Sequence, residues 1–175
     1  IPDRAIVVKS WRKEFKQMLK LPKTIKWVIT DFDGIVTDNC VYINDDYTMT
    51  RRLNYQDIIG FNNLKKKGIE IAIISGERNP AIGLLTEKFN LKEVHQKIHN
   101  KIDVLKSILE KYNLTQEEYV YLGDDINDLE CLNWAKYKIT APHAVVKVKQ
   151  APGIQVTENE SGWGAFREVA DCLTD

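Results

Sequence analysis

Three short apolar runs, each followed at once by a polar group, constrain the fold of this chain more than any other feature. The runs cover residues 26–31 (KWVITD), 69–75 (IEIAIIS) and 119–124 (YVYLGD). They are too continuously apolar for strands with one face in water, and are typical of strands buried on both faces of a parallel sheet. Segments with helical spacing lie between them, at residues 57–67, 79–89 and 98–112. This alternation predicts an α/β fold with right-handed crossovers.

Weaker signals complete the predicted architecture. Residues 137–140 and 154–157 would extend the sheet, and residues 164–173 have the spacing of a final helix. Residues 41–53 carry strand-like pieces on either side of an Asn-Asp-Asp turn cluster, which predicts a β-hairpin directly after the first strand. We therefore expect a doubly wound, Rossmann-like parallel sheet with a small hairpin insertion that serves as a cap.

The first two dozen residues do not fit the alternation of strand and helix. Residues 8–19 have apolar side chains on one helical face, which fits a helix packed on its own domain and a linker from a larger protein equally well. The chain begins at Ile1 rather than Met, so we expect it to be processed or cut from a longer protein. We expect an N-terminal helix or linker at residues 1–24 and a single domain at residues 25–175.

Composition excludes several classes of partner. The 25 basic and 25 acidic residues balance to a formal net charge of zero, so there is no basic field to attract nucleic acid or an anionic membrane. No apolar run approaches the ~18 residues that cross a bilayer. The three cysteines form no CxxC pair, which argues against a disulfide framework and a zinc cluster. We expect a soluble, cytoplasmic protein.

The polar groups that follow the apolar runs are mainly acids. In an open parallel sheet, ligands bind at the carboxyl ends of the strands, so these groups should meet at one edge. Carboxylates gathered there repel one another unless a cation lies among them. Oxygen ligands without His or Cys favour Mg²⁺ over zinc. The acids of this predicted site are Asp31, Asp33, Asp124, Asp125 and Asp128.

The same edge should carry donors for a phosphate group. Ser75 follows the second strand, Lys101 stands near the start of the long helix before the third, and backbone amides near Gly34 and Gly76 are free to point at an anion. A metal site beside phosphate donors predicts phosphoryl transfer.

Two of the aspartates have distinct predicted roles. Asp31 is placed to attack phosphorus and form an aspartyl-phosphate, which divides one difficult displacement into two easier ones. Asp33 lies two residues further on, where neighbouring carboxylates favour its protonated form. It would donate a proton to the leaving group and then act as a base towards water.

Four segments resemble the signature motifs of haloacid dehalogenase superfamily phosphatases: DFDGIVTD at 31–38, ISG at 74–76, Lys101, and GDDINDLE at 123–130. The resemblance implies that Asp31 is the nucleophile, Asp33 the general acid and base, and Ser75 and Lys101 phosphate-binding groups. It also implies Mg²⁺ held by the Asp31 side chain, the Asp33 backbone carbonyl and Asp124. Asp128 would lie just outside the metal ligands, and Asp125 either orients its neighbours or binds metal.

Within that superfamily the chain is similar to a minimal-cap branch that contains octulosonate 8-phosphate and nonulosonate 9-phosphate phosphatases and the phosphatase-like domain of some acylneuraminate cytidylyltransferases. The similarity lies in the hairpin, in LNYQDIIGF at 53–61 and in SGWGAFREV at 161–169. It implies a phosphorylated 2-keto-3-deoxy sugar acid as substrate, contacted by Asn54 and Asp57. It also implies a homotetramer in which a neighbour caps each site.

Three positions depart from the pattern of that branch. Octulosonate phosphatases usually have an arginine where this chain has Glu77, which favours a nonulosonate 9-phosphate over an octulosonate 8-phosphate and makes Glu77 a substrate-binding candidate. Trp163 stands where an arginine is common and Ile58 where a glycine is common. These two changes make contacts from the tail to the site less certain than in the rest of the branch.

Other functions fit parts of the sequence. One alternative is a non-catalytic oligomerisation or regulatory domain of an acylneuraminate cytidylyltransferase, to which this chain would be fused. Another is a phospho-accepting receiver domain, but its acceptor would follow a later strand than Asp31 does. The pair His95 and His99 has metal-ligand spacing, yet no glutamate follows His95 as in a zinc protease motif, which favours a role other than metal binding.

Overall fold

A six-stranded parallel sheet forms the centre of the computed structural model, which describes residues 19–175. The strands are β1 (Trp27–Thr30), β2 (Tyr42–Ile43), β3 (Met49–Thr50), β4 (Glu70–Ile74), β5 (Glu93–His95), β6 (Tyr119–Leu122), β7 (Tyr137–Thr140) and β8 (Gln155–Val156). The sheet order is β5-β4-β1-β6-β7-β8, and β2 and β3 form a separate antiparallel hairpin. The predicted doubly wound fold with a hairpin insertion is confirmed.

Helices cover both faces of the sheet. They are α1 (Tyr55–Lys66), α2 (Pro80–Phe89), α3 (Lys101–Lys111), α4 (Leu129–Trp134), α5 (Val146–Lys149) and α6 (Ala165–Thr174), with a 3₁₀ turn at Ile126–Asp128. One core lies between the sheet and α1, α2 and α6, where the rings of Phe61 and Phe166 stack with centroids 4.3 Å apart. The other lies under α3 and α4 and contains Ile29, Leu105 and Tyr121. Burial on both faces explains the continuous apolar runs.

The strand order places the candidate site. The chain passes from β1 outward to β4 and β5, then returns to β6 on the other side of β1, so the direction of winding reverses at β1. Thr30 pairs with Ile73 of β4 and Leu122 of β6, which brings the residues after these three strands to the same level. Ligands of open α/β sheets bind at such a point.

Sequence patterns missed the short polar elements. The strand β5 has only three residues, and two of them are Glu93 and His95, so it carries no apolar signal. The 3₁₀ turn, α4 and α5 have three, six and four residues and were not predicted either. Their positions depend on neighbouring elements, because helices of this length are unstable alone.

The structure describes only the last part of the predicted N-terminal region. The helix predicted at residues 8–19 lies outside the described residues except for Leu19, whose side chain is buried in the core beside α6. The backbone of Lys20 is tied to Gln155 of β8 by hydrogen bonds of 2.6 and 3.1 Å. None of the helices found between residues 19 and 175 is long and apolar enough to cross a membrane.

Candidate active site

Asp31 lies at the centre of the candidate site, directly after β1. Its Oδ1 accepts a hydrogen bond from the backbone N–H of Phe32 over 2.6 Å, and its Oδ2 lies 2.8 Å from Lys101 Nζ. Burial and the carboxylate of Asp128 raise the pKa of Asp31, and Lys101 opposes this rise. The side chain is therefore held in one orientation, with its charge tied to Lys101.

Lys101 is the first residue of α3, and only 1% of its surface is exposed. Its Nζ lies 2.8 Å from Asp31 Oδ2 and also 2.8 Å from Asp128 Oδ1. Burial alone would lower the pKa of Lys101, but Asp128 and Asp31 outweigh it and the pKa is raised. The residue is thus a permanent cation between two buried carboxylates, and it reaches the sheet edge as the sequence predicted.

Asp128 has both carboxylate oxygens occupied by protein donors. Its Oδ1 accepts from Lys101 Nζ and from Tyr121 Oη, each over 2.8 Å. Its Oδ2 accepts from the backbone N–H groups of Asp124 and Asp125, over 3.2 and 3.3 Å. These four contacts hold the loop after β6 and leave little capacity for a metal. The sequence did not point to Tyr121, because its position inside an apolar strand gives no polar signal.

The Asp124 carboxylate, unlike that of Asp128, is not fully occupied by protein donors among the described residues. This carboxylate is buried, and its Oδ1 has no hydrogen-bond partner among the residues from 19 onward. Burial, with Asp128 and Asp125 adding to it, raises the pKa of Asp124 to about 7. An unpartnered buried carboxylate is costly unless a cation compensates it.

The acidic cluster fits a hard divalent cation. Oxygens of Asp31, Asp124 and Asp128 lie within 4.8 Å of one another. Because Asp128 is saturated by donors, Asp31 and Asp124 are the side chains with capacity for the ion. A Cβ on Gly34 would come within 1.9 Å of Asp124 Oδ2, so a side chain there would fill the space this carboxylate occupies. Buried oxygen ligands without His or Cys suit Mg²⁺.

Asp33 lies on the turn after Asp31 and is part-buried. Its Oδ1 accepts hydrogen bonds from Thr37 Oγ1 over 2.9 Å and from Asn79 Nδ2 over 3.1 Å, and Arg51 Nε is 3.9 Å away. Its Oδ2 is buried and has no partner within the described part of the chain. All of the donors thus converge on a single oxygen of the carboxylate.

These groups open into one cavity of about 300 Å³. The predicted site residues that line it are Asp31, Asp33, Ser75, Gly76, Glu77, Asp124 and Asp125. The Ser75 hydroxyl donates to the backbone carbonyl of Glu77 over 3.0 Å. Further lining residues, which the sequence did not single out as a group, are Asn39, Ile98, His99 and Asn127. His99 borders this cavity, whereas His95 Nε2 lies 2.8 Å from Glu93 and not at a site with His99.

Two predicted substrate contacts are placed elsewhere. Asp57 is fully buried, and its carboxylate accepts from the backbone N–H groups of Gly164 and Arg167, each over 3.1 Å. Both oxygens of Asp57 thus hold the start of α6, and its predicted contact with substrate stays a prediction. Asn54 caps α1 by accepting from the Gln56 N–H over 2.8 Å. Neither Asn54 nor Asp57 lines the cavity that the structure describes around Asp31.

The fold and this site define a haloacid dehalogenase-type enzyme. The profile of the haloacid dehalogenase-like hydrolases matches residues 77–165, about half of the chain, and the chain belongs to this family. The predicted family and the predicted class of enzyme, a phosphatase, are confirmed.

Similar proteins share most of the chain's length. The 3-deoxy-D-manno-octulosonate 8-phosphate phosphatase of Haemophilus influenzae is 26% identical over 151 residues, which cover 86% of this chain and 83% of that protein. The enzyme of the same name from Moraxella catarrhalis, solved with a magnesium ion, a phosphate ion and a KDO molecule, has a TM-score of 0.80, 28% identity and 86% coverage of each chain. A cobalt-bound form from Haemophilus influenzae has a TM-score of 0.78 and 26% identity, over 86% of this chain and 88% of that one. Divalent ions in these relatives agree with the predicted Mg²⁺ cofactor.

Proposed function

We propose that this protein is a Mg²⁺-dependent phosphomonoesterase that works through an aspartyl-phosphate on Asp31. The observation that carries the proposal is the fixed Asp31 carboxylate, which lies 2.8 Å from the buried Lys101 ammonium and lines a cavity with Ser75 and Asp33. Asp31 would be the nucleophile, and Asp31, Asp124 and the Asp33 backbone carbonyl would hold the metal. When bound, Mg²⁺ would reduce the repulsion between phosphate and Asp31 and stabilise charge on the phosphoryl oxygens.

The remaining residues bind phosphate and move protons. Ser75 would turn its hydroxyl from the Glu77 carbonyl towards a phosphate oxygen, and the backbone amides near Gly34 and Gly76 would add further donors. Lys101 favours the ionised form of Asp31 and balances negative charge as the phosphate arrives. Asp33 would protonate the leaving oxygen and then take a proton from the water that hydrolyses the aspartyl-phosphate. Asp125, which lines the cavity rim, would orient the loop after β6.

We propose a phosphorylated 2-keto-3-deoxy sugar acid as the substrate. The names of the relatives support this class, since they act on 3-deoxy-D-manno-octulosonate 8-phosphate. Glu77 lies on the cavity wall where that branch usually carries an arginine, which favours a nonulosonate 9-phosphate. Turnover should be measured for a nonulosonate 9-phosphate, octulosonate 8-phosphate and simple sugar phosphates, each with Mg²⁺ and with EDTA. Failure to hydrolyse any of them with Mg²⁺ would contradict the proposal.

The cap would come from a neighbouring subunit. Several apolar side chains of the hairpin point into solvent, with Tyr47 88% and Ile43 70% exposed. A two-stranded hairpin is only marginally stable alone. We therefore propose a homotetramer in which hairpins associate and roof adjacent cavities. Sedimentation velocity should show a tetramer for the full chain and smaller, less active species for Ile43→Lys. A stable and fully active monomer would contradict this assembly.

The proposed organisation keeps residues 25–175 as the phosphatase domain, with residues 1–24 as its N-terminal extension. Leu19 packs into the core, and a groove of about 740 Å³ beside α6 is lined by Leu19, Lys20, Leu21 and Lys23 from this part of the chain. This groove contains none of the predicted site residues. Fusion to a cytidylyltransferase is compatible with catalysis. A purely regulatory role is favoured less, because it gives no reason to bury Lys101 between two aspartates.

A further inference from the structure

We infer that Asn79 is a positioning residue that aims the proton-transferring group of this site, Asp33. Asn79 lies 46 residues further along the chain, after β4, and its Nδ2 donates to Asp33 Oδ1 over 3.1 Å. The inference rests on the proposed function, in which Asp33 protonates the leaving oxygen. The contact crosses from the loop after β4 to the turn after β1, so it connects two separate segments of the site.

The orientation of the Asn79 amide is imposed by α2. Asn79 is the N-cap of α2, and its Oδ1 accepts from the Ala81 N–H over 3.0 Å. Its own backbone N–H donates to Gln96 Oε1 over 2.9 Å, and only 2% of the residue is exposed. Because the cap requires Oδ1 to point at the helix, Nδ2 must point the other way, towards Asp33.

The consequence for Asp33 is that its two oxygens become different. Thr37 Oγ1 and Asn79 Nδ2 both donate to Oδ1, whereas Oδ2 is buried without a partner among residues 19–175. The contacts that hold the Asp33 carboxylate therefore fall on Oδ1. Thr37 lies on the same turn as Asp33 and moves with it. Of these two donors, only Asn79 belongs to another segment of the chain, so it is Asn79 that fixes the turn relative to the rest of the site.

This arrangement defines the step that Asn79 assists. As the bond between phosphorus and the leaving oxygen breaks, the Asp33 carboxyl gives its proton to that oxygen and becomes a carboxylate. In the second step, water attacks the aspartyl-phosphate and gives one proton back to Asp33. A misplaced Asp33 harms the first step most for a poor leaving group, because such a group depends most on protonation.

Two substitutions of Asn79 separate its contact with Asp33 from its role as the N-cap of α2. Asn79→Ser keeps a good N-cap for α2 but withdraws the donor from Asp33, since the serine side chain is shorter. Asn79→Ala removes both contacts. Gln96→Ala disturbs the same turn without touching Asp33, and it serves as the matched control.

The experiment compares two substrates of the full-length protein with Mg²⁺: 4-nitrophenyl phosphate, whose leaving group needs little protonation, and the alkyl phosphate with the highest turnover in the substrate panel. We expect Asn79→Ser to lower kcat for the alkyl phosphate ~10- to 100-fold, a part of what general acid catalysis supplies. The kcat for 4-nitrophenyl phosphate, the KM values and the melting temperature should change little. Gln96→Ala should affect both substrates equally.

Asp33→Asn is the reference variant. If it lowers turnover of the alkyl phosphate selectively and Asn79→Ser does not, the inference about Asn79 is overturned while the proposed function stands. An equal loss on both substrates for Asn79→Ser would likewise reduce Asn79 to a structural role. If Asp33→Asn itself shows no dependence on the leaving group, the proposed role of Asp33 fails, and the inference fails with it.

Discussion

Lys101 and Asp31 form a buried ion pair, with 2.8 Å between the ammonium nitrogen and Asp31 Oδ2. The same ammonium is 2.8 Å from Asp128, so one cation balances two carboxylates inside the protein. Removing the Lys101 cation would leave two buried carboxylates without compensation, and losing one partner of a buried pair in this way typically costs ~3–5 kcal/mol. The ion pair places a stabilising cation in direct contact with the proposed nucleophile.

We predict that Lys101→Met abolishes activity and destabilises the fold by ~3–5 kcal/mol, because Asp31 and Asp128 lose their cation. Urea unfolding at pH 8 in EDTA measures the free energy of unfolding, and phosphate release measures activity. Lys106→Met is the control, since Lys106 is an exposed residue of the same helix. Equal stability of the two variants would mean that the ion pair does not hold the site together.

Asp31→Asn should eliminate turnover while the melting temperature stays the same or rises. An amide cannot attack phosphorus as a carboxylate does, and the change removes one charge from a set of mutually repelling acids. Thermal unfolding without metal and an assay of phosphate release test the two halves of this prediction. Retained activity would show that the nucleophile is another residue.

The raised pKa of Asp124 predicts how the stability of the metal-free protein depends on pH. This pKa is raised to about 7 in the folded protein, above the ~4 of an unfolded aspartate, so the folded state favours the protonated form. The free energy of unfolding should therefore fall as pH rises from ~4 to ~7, by roughly 2–4 kcal/mol. Asp124→Asn should weaken this dependence but not remove it, since burial also raises the pKa of Asp31. Mg²⁺ should restore stability at pH 8 to the wild type only. Urea unfolding at pH 5 and pH 8, with EDTA or Mg²⁺, distinguishes these cases.

Gly34 provides a steric test of the metal-binding loop. Its φ is +92°, and an added Cβ would lie 1.9 Å from Asp124 Oδ2. Gly34→Ala should therefore displace Asp124 and weaken Mg²⁺ binding at least ~10-fold, as measured by titration calorimetry. Gly68→Ala is the matched control, because Gly68 also has a positive φ, of +81°, but open space at its Cβ. If both variants bind Mg²⁺ like the wild type, Gly34 does not shape the site.

Much of the candidate site could be predicted from the sequence because its residues lie at strand ends. A polar residue directly after a buried parallel strand must appear at the carboxyl edge of the sheet, which is why Asp31, Ser75 and Asp124 line one cavity. Contacts between the side chains of different elements carry no such local signal. Tyr121 and Asn79 have ordinary positions in a strand and at a helix start, and their partners Asp128 and Asp33 appear only in the folded chain.

Asp57 is the opposite case, because a resemblance predicts a substrate contact for a residue to which the structure gives a packing role. Its carboxylate holds two backbone N–H groups at the start of α6 and is 0% exposed. Asp57 does not line the cavity that the structure describes around Asp31. A sequence pattern contains no information on whether an acid faces a neighbouring helix or a cavity.

The alternation of apolar runs and helical segments by itself determined the doubly wound sheet and the edge at which its acids collect, because strand burial and strand ends are local properties of the sequence. The tertiary structure decided which acids have capacity for a metal and which are occupied. Asp128 is saturated by four donors from three segments, whereas Asp124 keeps an oxygen without a partner in residues 19–175. That difference depends on how the loop after β6 folds back on Asp128 and on Lys101, which lies 27 residues away and comes within hydrogen-bond range only in the folded chain.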